Sequence, residues 1–249
     1  FIFMLKAIPG VEGIGLTTNG ERLAPVADQL ADAGVDKVNV SLDTLDRARF
    51  KALTRIDALD RVLAGITAAG AADFKARKLN CVPIRGVNDD EFSGLLQFAT
   101  GCGFELRFIE FMPFGSMWSP DQVISTDEIL TSIQASHGPA ELLVQTPGDT
   151  AQRYALEDGT VFGIIPTSSQ PFCGQCDRIR ITADGQLLPC LFASKGEDMR
   201  SLLRNGASAQ ELQSAMARCL EGKGVGFMEE LNMANGAMEP VRNMKRIGG

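Results

Sequence analysis

The sequence predicts an α/β protein: a parallel sheet of strand–helix repeats, followed by an α+β region that holds a metal centre. Three observations carry this expectation. Between residues 14 and 111 short apolar runs alternate with helix-length segments, the pattern of crossover units in a parallel sheet. After residue 150 the runs shorten and are joined by Asp-Gly pairs, a hairpin signal. Within this later region Cys173, Cys176 and Cys190 stand at a spacing that lets them converge through a turn and a short hairpin.

Taken in order, Phe1 to Gly10 reads as the last turns of an uncapped helix with no initiator methionine, as expected of a fragment whose chain starts inside an element. Ile14 to Thr18 is a short strand stopped by the turn pair Asn19-Gly20. Leu23, Val26, Ala27 and Leu30 give helical spacing over 21–33, closed by Gly34. Lys37 to Asp43 is the next strand, followed by helices over 46–52 and 57–69, the second ending at Gly70. Leu79 to Ile84 and Leu106 to Phe111 are further strands, with a helix over 89–100 between them. A loop from Gly115 to Pro120 and a helix over 126–135 follow. Strands are then expected at Arg153 to Leu156, Val161 to Ile165, Ile179 to Thr182 and Leu187 to Leu191. Helices over 198–204 and 208–221 precede a tail rich in Gly, Asn and Met. The expected division is 1–115 for the parallel part and 116–249 for the region with the cysteines.

Parallel sheets bind ligands beyond the C-terminal ends of their strands. Those ends here carry Thr17, Thr18 and Asn19, then Ser41 and Asp43, then Arg85 and Asn88, then Glu110 and Met112. Polar residues at such an edge suit a binding mouth, although Thr and Asn also serve simply to end strands.

A chain of 249 residues with 45% hydrophobic and 22% charged residues can bury a substantial core. Its net charge of −7 argues against a broad nucleic-acid or membrane surface. Local cationic groups remain: Arg178 and Arg180 beside the cysteine pair, and Arg242, Lys245 and Arg246 near the end. Six cysteines without a secretory leader suit a reducing cytoplasm rather than a disulfide framework. Cys81, Cys102 and Cys219 stand in apolar or helical surroundings and read as inert buried thiols. The one histidine, His137, reads as a turn residue.

Three thiolates are one short of a closed shell, and an incomplete shell leaves a metal position for substrate. Iron–sulfur is favoured over zinc, since a structural zinc takes four protein ligands and one Cys-x-x-Cys hook supplies two. Zinc would need Asp177, His137 or a distant cysteine as well. Arg178 and Arg180, two apart on an expected strand, face one way and suit a phosphate or another planar anion.

The run from Phe172 to Phe192 resembles the second-cluster motif of the GTP 3′,8-cyclases, radical S-adenosylmethionine enzymes of molybdenum cofactor synthesis. Leu16-Thr-Thr-Asn-Gly20, Val38-Asn-Val-Ser-Leu-Asp43, Lys78-Leu-Asn80, Arg107-Phe-Ile-Glu-Phe-Met112 and Arg246-Ile-Gly-Gly249 agree in order and spacing. The resemblance spans essentially the whole chain. It implies the later strands of a partial (β/α)₆ barrel plus a C-terminal α+β cluster domain. Cys173, Cys176 and Cys190 would hold a [4Fe–4S] cluster with one iron open to the purine of GTP. Arg178, Ile179, Arg180, Thr17 and Lys78 match GTP-binding positions. Ser41 and Met112 match positions that touch S-adenosylmethionine, and Gly248 and Gly249 match a tail that reaches the active site.

In that family a radical derived from S-adenosylmethionine removes hydrogen from the 3′ carbon of GTP, and the ribose radical attacks carbon 8. An electron donor and the next enzyme of the pathway are the implied partners, with a homodimer as a further option. The sequence departs from the family in one respect. The Cys-x-x-x-Cys-x-x-Cys loop of the first cluster and the Gly-Gly-Glu-Pro segment are absent from these residues. A chain of these residues alone is therefore expected to be inactive. Two other readings stay open: a radical enzyme that modifies a peptide and carries an auxiliary cluster, and a non-catalytic zinc-stabilised binding module.

Overall fold

The computed structural model describes residues 1–114, 118–145, 148–193, 195–221 and 223. The chain divides into two compact units. The first comprises Phe1–Phe111 and Asp121–Pro166; the second comprises Met112–Pro120 and the chain from Thr167 onward.

The first unit runs α1 (Ile2–Lys6), β1 (Gly15–Thr18), α2 (Ala27–Asp32), β2 (Lys37–Ser41), α3 (Arg47–Thr54), α4 (Leu59–Ala71) and β3 (Ala76–Cys81). It continues with α5 (Phe92–Gly101), β4 (Glu105–Ile109), α6 (Thr126–His137), β5 (Ala140–Leu142), β6 (Gln152–Leu156) and β7 (Val161–Ile165). Its sheet has the order β1-β2-β3-β4-β7-β6-β5. The pairs from β1 through β4 to β7 are parallel, while β6 and β5 pair antiparallel at the far edge.

Alternation along these strands separates two faces. Val38 and Val40, Leu79 and Cys81, Leu106 and Phe108, and Phe162 and Ile164 are buried. They join one core with Val62, Ile66 and Ala69 of α4, Leu95, Leu96 and Ala99 of α5, and Ile129 and Ile133 of α6. The residues between them in β1 to β4 are largely polar, so helices cover one face of the sheet and polar side chains the other. Strands buried on both faces read as continuous apolar runs, which these do not.

Two close approaches fix the strand ends. Gly20 adopts a φ of +77°, and a side chain at Gly65 of α4 would meet the Gly20 carbonyl oxygen at 2.3 Å. Helix α4 therefore seats directly on the turn after β1. Helix α6 begins with a capping box, in which Ser125 and Glu128 exchange hydrogen bonds. The backbone N–H and hydroxyl of Ser125, with Arg85, hold the Glu128 carboxyl down at about 2. The buried Glu110 carboxylate also accepts the backbone N–H and hydroxyl of Thr126 at 2.7 and 2.8 Å.

The second unit contains β8 (Arg180–Ile181), β9 (Gln186–Leu188), β10 (Glu197–Asp198), α7 (Met199–Arg204) and α8 (Ala209–Glu221). Its sheet is antiparallel in the order β10-β9-β8. Leu187, Met199, Ala215 and Cys219 form its small core. Asp198 caps α7 by accepting the Ser201 N–H at 2.9 Å.

Several expectations shift. Residues 153–165 were expected with the cysteine region, yet β6 and β7 extend the first unit's sheet because β7 pairs in parallel with β4. β3 starts at Ala76, three residues before the apolar run, and α4 continues through Gly70 to Ala71. His137 ends α6 rather than lying in a turn, and its Nε2 is 2.8 Å from the Ser93 hydroxyl. β8 is short and leaves Arg178 outside it. No described helix is long and apolar enough to cross a membrane.

Candidate functional site

On the polar face of the first unit, strand register builds two rows. Thr17 pairs with Asn39, Asn39 with Lys78, and Lys78 with Glu105. Nearer the strand ends Ser41 pairs with Asn80, Asn80 with Arg107, and Arg107 with Gly163. Laterally paired residues share a face. The structure thus brings together three residues singled out from the sequence, Thr17, Ser41 and Lys78. It adds Asn39, Asn80 and Arg107, which sequence reading missed. Their signal was present: polar residues at alternate positions, as in Lys37-x-Asn39-x-Ser41 and Lys78-x-Asn80, stand out in parallel strands.

The rows are cross-linked. The Asn39 amide donates to the Thr17 hydroxyl at 3.1 Å. Arg107, buried on the sheet, donates through Nε to Glu105 at 2.8 Å and lies 3.5 Å from the Asp149 carboxylate. Arg153 meets the other oxygen of Glu105 at 2.8 Å. A side chain at Gly163 would come within 3.3 Å of the Arg107 Cγ, so the bare glycine leaves Arg107 its path. Lys78 is half-buried. Burial pushes its pKa down and the neighbouring Arg107 charge adds to this, against the opposing pull of Glu105 and Asp149. An anion brought to this face would relieve the crowding of Lys78 by Arg107.

At the ends of β1 and β2 a pocket opens. Asn19, Ser41, Asp43 and Thr44 give it a polar wall, while Phe50 and Val62 give it an apolar one. Asp43 accepts the Val82 N–H at 2.8 Å, and burial raises its pKa above the usual carboxylate value, an effect partly offset by that bond.

In the second unit a 3₁₀ turn over Cys173–Gln175 carries the cysteine pair, closed by the Cys176 N–H on the Cys173 carbonyl at 3.1 Å. Cys173, Cys190, Met112 and Phe114 all pack against Phe192, whose ring stacks on that of Phe114 at 4.7 Å. The Arg178 guanidinium lies 3.8 Å from the Cys176 sulfur and 5.9 Å from the centroid of the Phe172 ring. Burial pushes the Cys176 thiol up, but hydrogen bonds from the Arg178 backbone and guanidinium, with the Lys223 charge, outweigh it and bring the thiol below its ordinary value. Burial and the Arg178 charge lower the pKa of Arg180, against the opposing influence of the neighbouring Cys190 and Cys176 sulfurs. Arg178 and Arg180 thus both bear on the Cys176 sulfur, although they do not share a strand. Ile179 between them is exposed.

None of the six cysteines forms a disulfide. Cys81 and Cys219 are buried as expected, whereas Cys102 is partly exposed; burial raises the pKa of all three thiols. Among the described residues no three Cys, His, Asp or Glu side chains close on a single ion position. Gly248 and Gly249 lie outside the described residues, as do Arg242, Lys245 and Arg246.

A sequence family described as the Radical SAM superfamily matches residues 1–99, and one described as Molybdenum Cofactor Synthesis C matches residues 104–228. "GTP 3′,8-cyclase 3" of Mycobacterium bovis is 43% identical over 211 residues, which cover 84% of this chain and 56% of that protein. "GTP 3′,8-cyclase" of Xanthomonas axonopodis pv. citri is 42% identical over 212 residues, covering 84% and 64%. The enzyme of that name from Thermodesulfovibrio yellowstonii is 37% identical over 251 positions, covering 100% of this chain and 76% of its own length. The chain thus spans little more than half of the mycobacterial relative. With identity sustained through both the sheet and the cysteine lobe, this chain belongs to the GTP 3′,8-cyclase family of radical S-adenosylmethionine enzymes.

Proposed function

We propose that this chain supplies the nucleotide-binding and S-adenosylmethionine-binding parts of an enzyme that converts GTP to 3′,8-cyclo-7,8-dihydroguanosine 5′-triphosphate in molybdenum cofactor biosynthesis. The observation that carries the reading is the gathering of Thr17, Lys78 and Ser41 onto one sheet face. Those residues are distant in sequence and were matched to ligand-binding positions independently of the fold. In this reading the first unit's sheet is the later part of a partial (β/α)₆ barrel whose polar face lines the interior.

Cys173, Cys176 and Cys190 would hold the second [4Fe–4S] cluster. The surroundings support this assignment: Cys173 and Cys190 pack in one apolar lobe, the Cys176 thiol is held below its ordinary value beside Arg178, and Arg178 and Arg180 would offset the added negative charge. When bound, the cluster supplies an iron with an open coordination position for guanine.

The chain's own residues then bind and orient. Lys78 and the Arg178–Arg180 pair neutralise anionic oxygens of GTP, and Ile179 offers an exposed apolar contact. Thr17, fixed by Asn39, donates or accepts at the sugar–phosphate. Ser41 and Met112 contact S-adenosylmethionine. Holding reactants in one geometry is the protein's share of the work when cofactors carry the bond-breaking. The first cluster of the family, an electron donor and the next enzyme of the pathway complete the system, in a reducing cytoplasm.

Anoxic reconstitution with iron and sulfide tests the reading. The expected product is brown protein containing iron and sulfide that binds GTP, with binding weakened at least tenfold by Lys78→Ala or Arg178→Ala. Colourless protein holding one zinc, or GTP affinity indifferent to both substitutions, would overturn it.

A further inference from the structure

The segment that follows Ser41 is held by the loop of the neighbouring strand, residue by residue. After β2 the Leu42 N–H donates to the Asn80 carbonyl at 2.9 Å. Asp43 accepts Val82 N–H through its side chain and, through its carbonyl, the Asn88 amide at 2.7 Å. Asn88 is fully buried, and its amide nitrogen also donates to the Val82 carbonyl at 3.0 Å while its oxygen accepts the Ile84 N–H at 2.7 Å.

Glu91 then takes the next two residues. One carboxylate oxygen accepts the Leu45 N–H at 2.7 Å; the other accepts the Thr44 hydroxyl. The guanidinium of Arg49, on the first turn of α3, also donates to Glu91 and reaches Asp90 at 2.8 Å. The Thr44 hydroxyl oxygen in turn accepts the Asp46 N–H at 3.0 Å. Glu91 therefore ties the loop after β2, the start of α3 and the loop after β3. Asp43 and Thr44, the residues so held, form part of the polar wall of the pocket that also contains Ser41.

We propose that Glu91 is a positioning residue for S-adenosylmethionine: by holding Thr44, Leu45 and Arg49 it fixes the wall next to Ser41 in its binding geometry. A charged acceptor serving three donors is suited to this, because charge-assisted hydrogen bonds are short and directional. A pocket wall that must be ordered on binding lowers affinity by the cost of that ordering. The inference rests on the reading that Ser41 contacts S-adenosylmethionine.

The test uses the whole chain after anoxic reconstitution, with S-adenosylmethionine and GTP titrated separately against the parent, Glu91→Gln, Thr44→Val and Ser41→Ala. Gln at 91 keeps an acceptor for Leu45 N–H but loses the charge, so the fold survives while the clamp loosens. The expected result is at least a fivefold loss of S-adenosylmethionine affinity in Glu91→Gln and a smaller loss in Thr44→Val. GTP affinity should stay within twofold in both, and amide exchange at Leu45 and Asp46 should quicken at least tenfold in Glu91→Gln. A general structural role would weaken both ligands together. Loss in Ser41→Ala with none in Glu91→Gln overturns the clamp and leaves the site reading intact. No binding to the parent chain, or none lost in Ser41→Ala, overturns the reading beneath it and the proposal together.

Discussion

Asn39 and Thr17 meet across two parallel strands, the amide of one donating to the hydroxyl of the other at 3.1 Å on the polar face of the sheet. Neither side chain contributes to the core, so the bond serves orientation more than stability. Asn39→Ala should leave the thermal midpoint unchanged within a degree or two. GTP affinity should fall about two- to fivefold, the equivalent of ~0.5–1 kcal/mol for one neutral hydrogen bond. Titration of the nucleotide into the two proteins reads this directly; unchanged affinity would remove Thr17 from the nucleotide site.

Asp36 presents a pH dependence with a definite sign. Buried at the start of β2, it meets Lys6 at 2.8 Å and Lys75 at 2.6 Å, and accepts the Ile14 N–H at 2.9 Å. The bonds from Lys6 and Lys75, then that from Ile14, hold its carboxyl far below the usual carboxylate range. A depressed folded-state value means that the stabilisation is present above the unfolded value, near 4, and is lost as pH falls through the acid range. Asp36→Asn should therefore lower the denaturation midpoint at pH 7, and the gap between mutant and parent should narrow on acidification below pH 4. A gap that is constant with pH would mean that the amide merely packs badly.

These contacts show what was and was not legible in the residues. The pattern of short apolar runs located β1, β2, β4 and β7 to within about two residues, because the strands of this sheet carry their core residues in runs of four or five positions, strictly alternating only in β2. It misplaced β3 because Ala76, Arg77 and Lys78 look like surface, although backbone pairing with β2 continues through them. It cut the second strand too late for the same reason in reverse. Leu42 and Asp43 are as buried or as firmly bonded as a strand, yet their bonds run to Asn80, Val82 and Asn88 in a loop arrangement. The cysteine spacing was visible at once, whereas Glu91 was not. Its three donors lie 42 to 47 positions away, and no local pattern announces such a clamp.

Gly65 offers a stability test of how the turn after β1 is seated. A methyl group there would be 2.3 Å from the Gly20 carbonyl oxygen and 3.1 Å from the Leu23 Cβ, both held by backbone. Helix propensity alone would favour alanine at this interior position. The overlap must win, since backbone cannot rotate away as a side chain does. Gly65→Ala should destabilise by about 1–3 kcal/mol, visible as a fall of several degrees in midpoint. A neutral or raised midpoint would mean that the turn after β1 moves freely from α4.

Cys190→Ser separates a cluster from a fortuitous group of thiols. The substitution changes little in packing, because the hydroxyl occupies less space and Phe192, stacked on Phe114, keeps its place. It removes one of three thiolates, so reconstituted protein should retain less than about a tenth of the parent's iron and sulfide, with GTP affinity falling alongside. Cys102→Ser, at a partly exposed thiol of the first unit, should leave both quantities unchanged. Equal iron in the two variants would dissociate the metal from the motif.

The cysteine inventory also bears on turnover. Six cysteines are present, at 81, 102, 173, 176, 190 and 219, and 173 and 176 are the one closely spaced pair. In the proposed function, reductive cleavage of S-adenosylmethionine uses a further cluster on a three-cysteine loop, and these six cysteines contain no second closely spaced set. A protein made of these 249 residues, reconstituted and given GTP, S-adenosylmethionine and a strong reductant, should bind nucleotide yet form no cyclised product and no 5′-deoxyadenosine. The two readouts fail differently. Deoxyadenosine without cyclised nucleotide would show that the cluster on Cys173, Cys176 and Cys190 itself passes electrons to S-adenosylmethionine. Both products together would show that the group on Cys173, Cys176 and Cys190 performs chemistry here assigned to the first cluster.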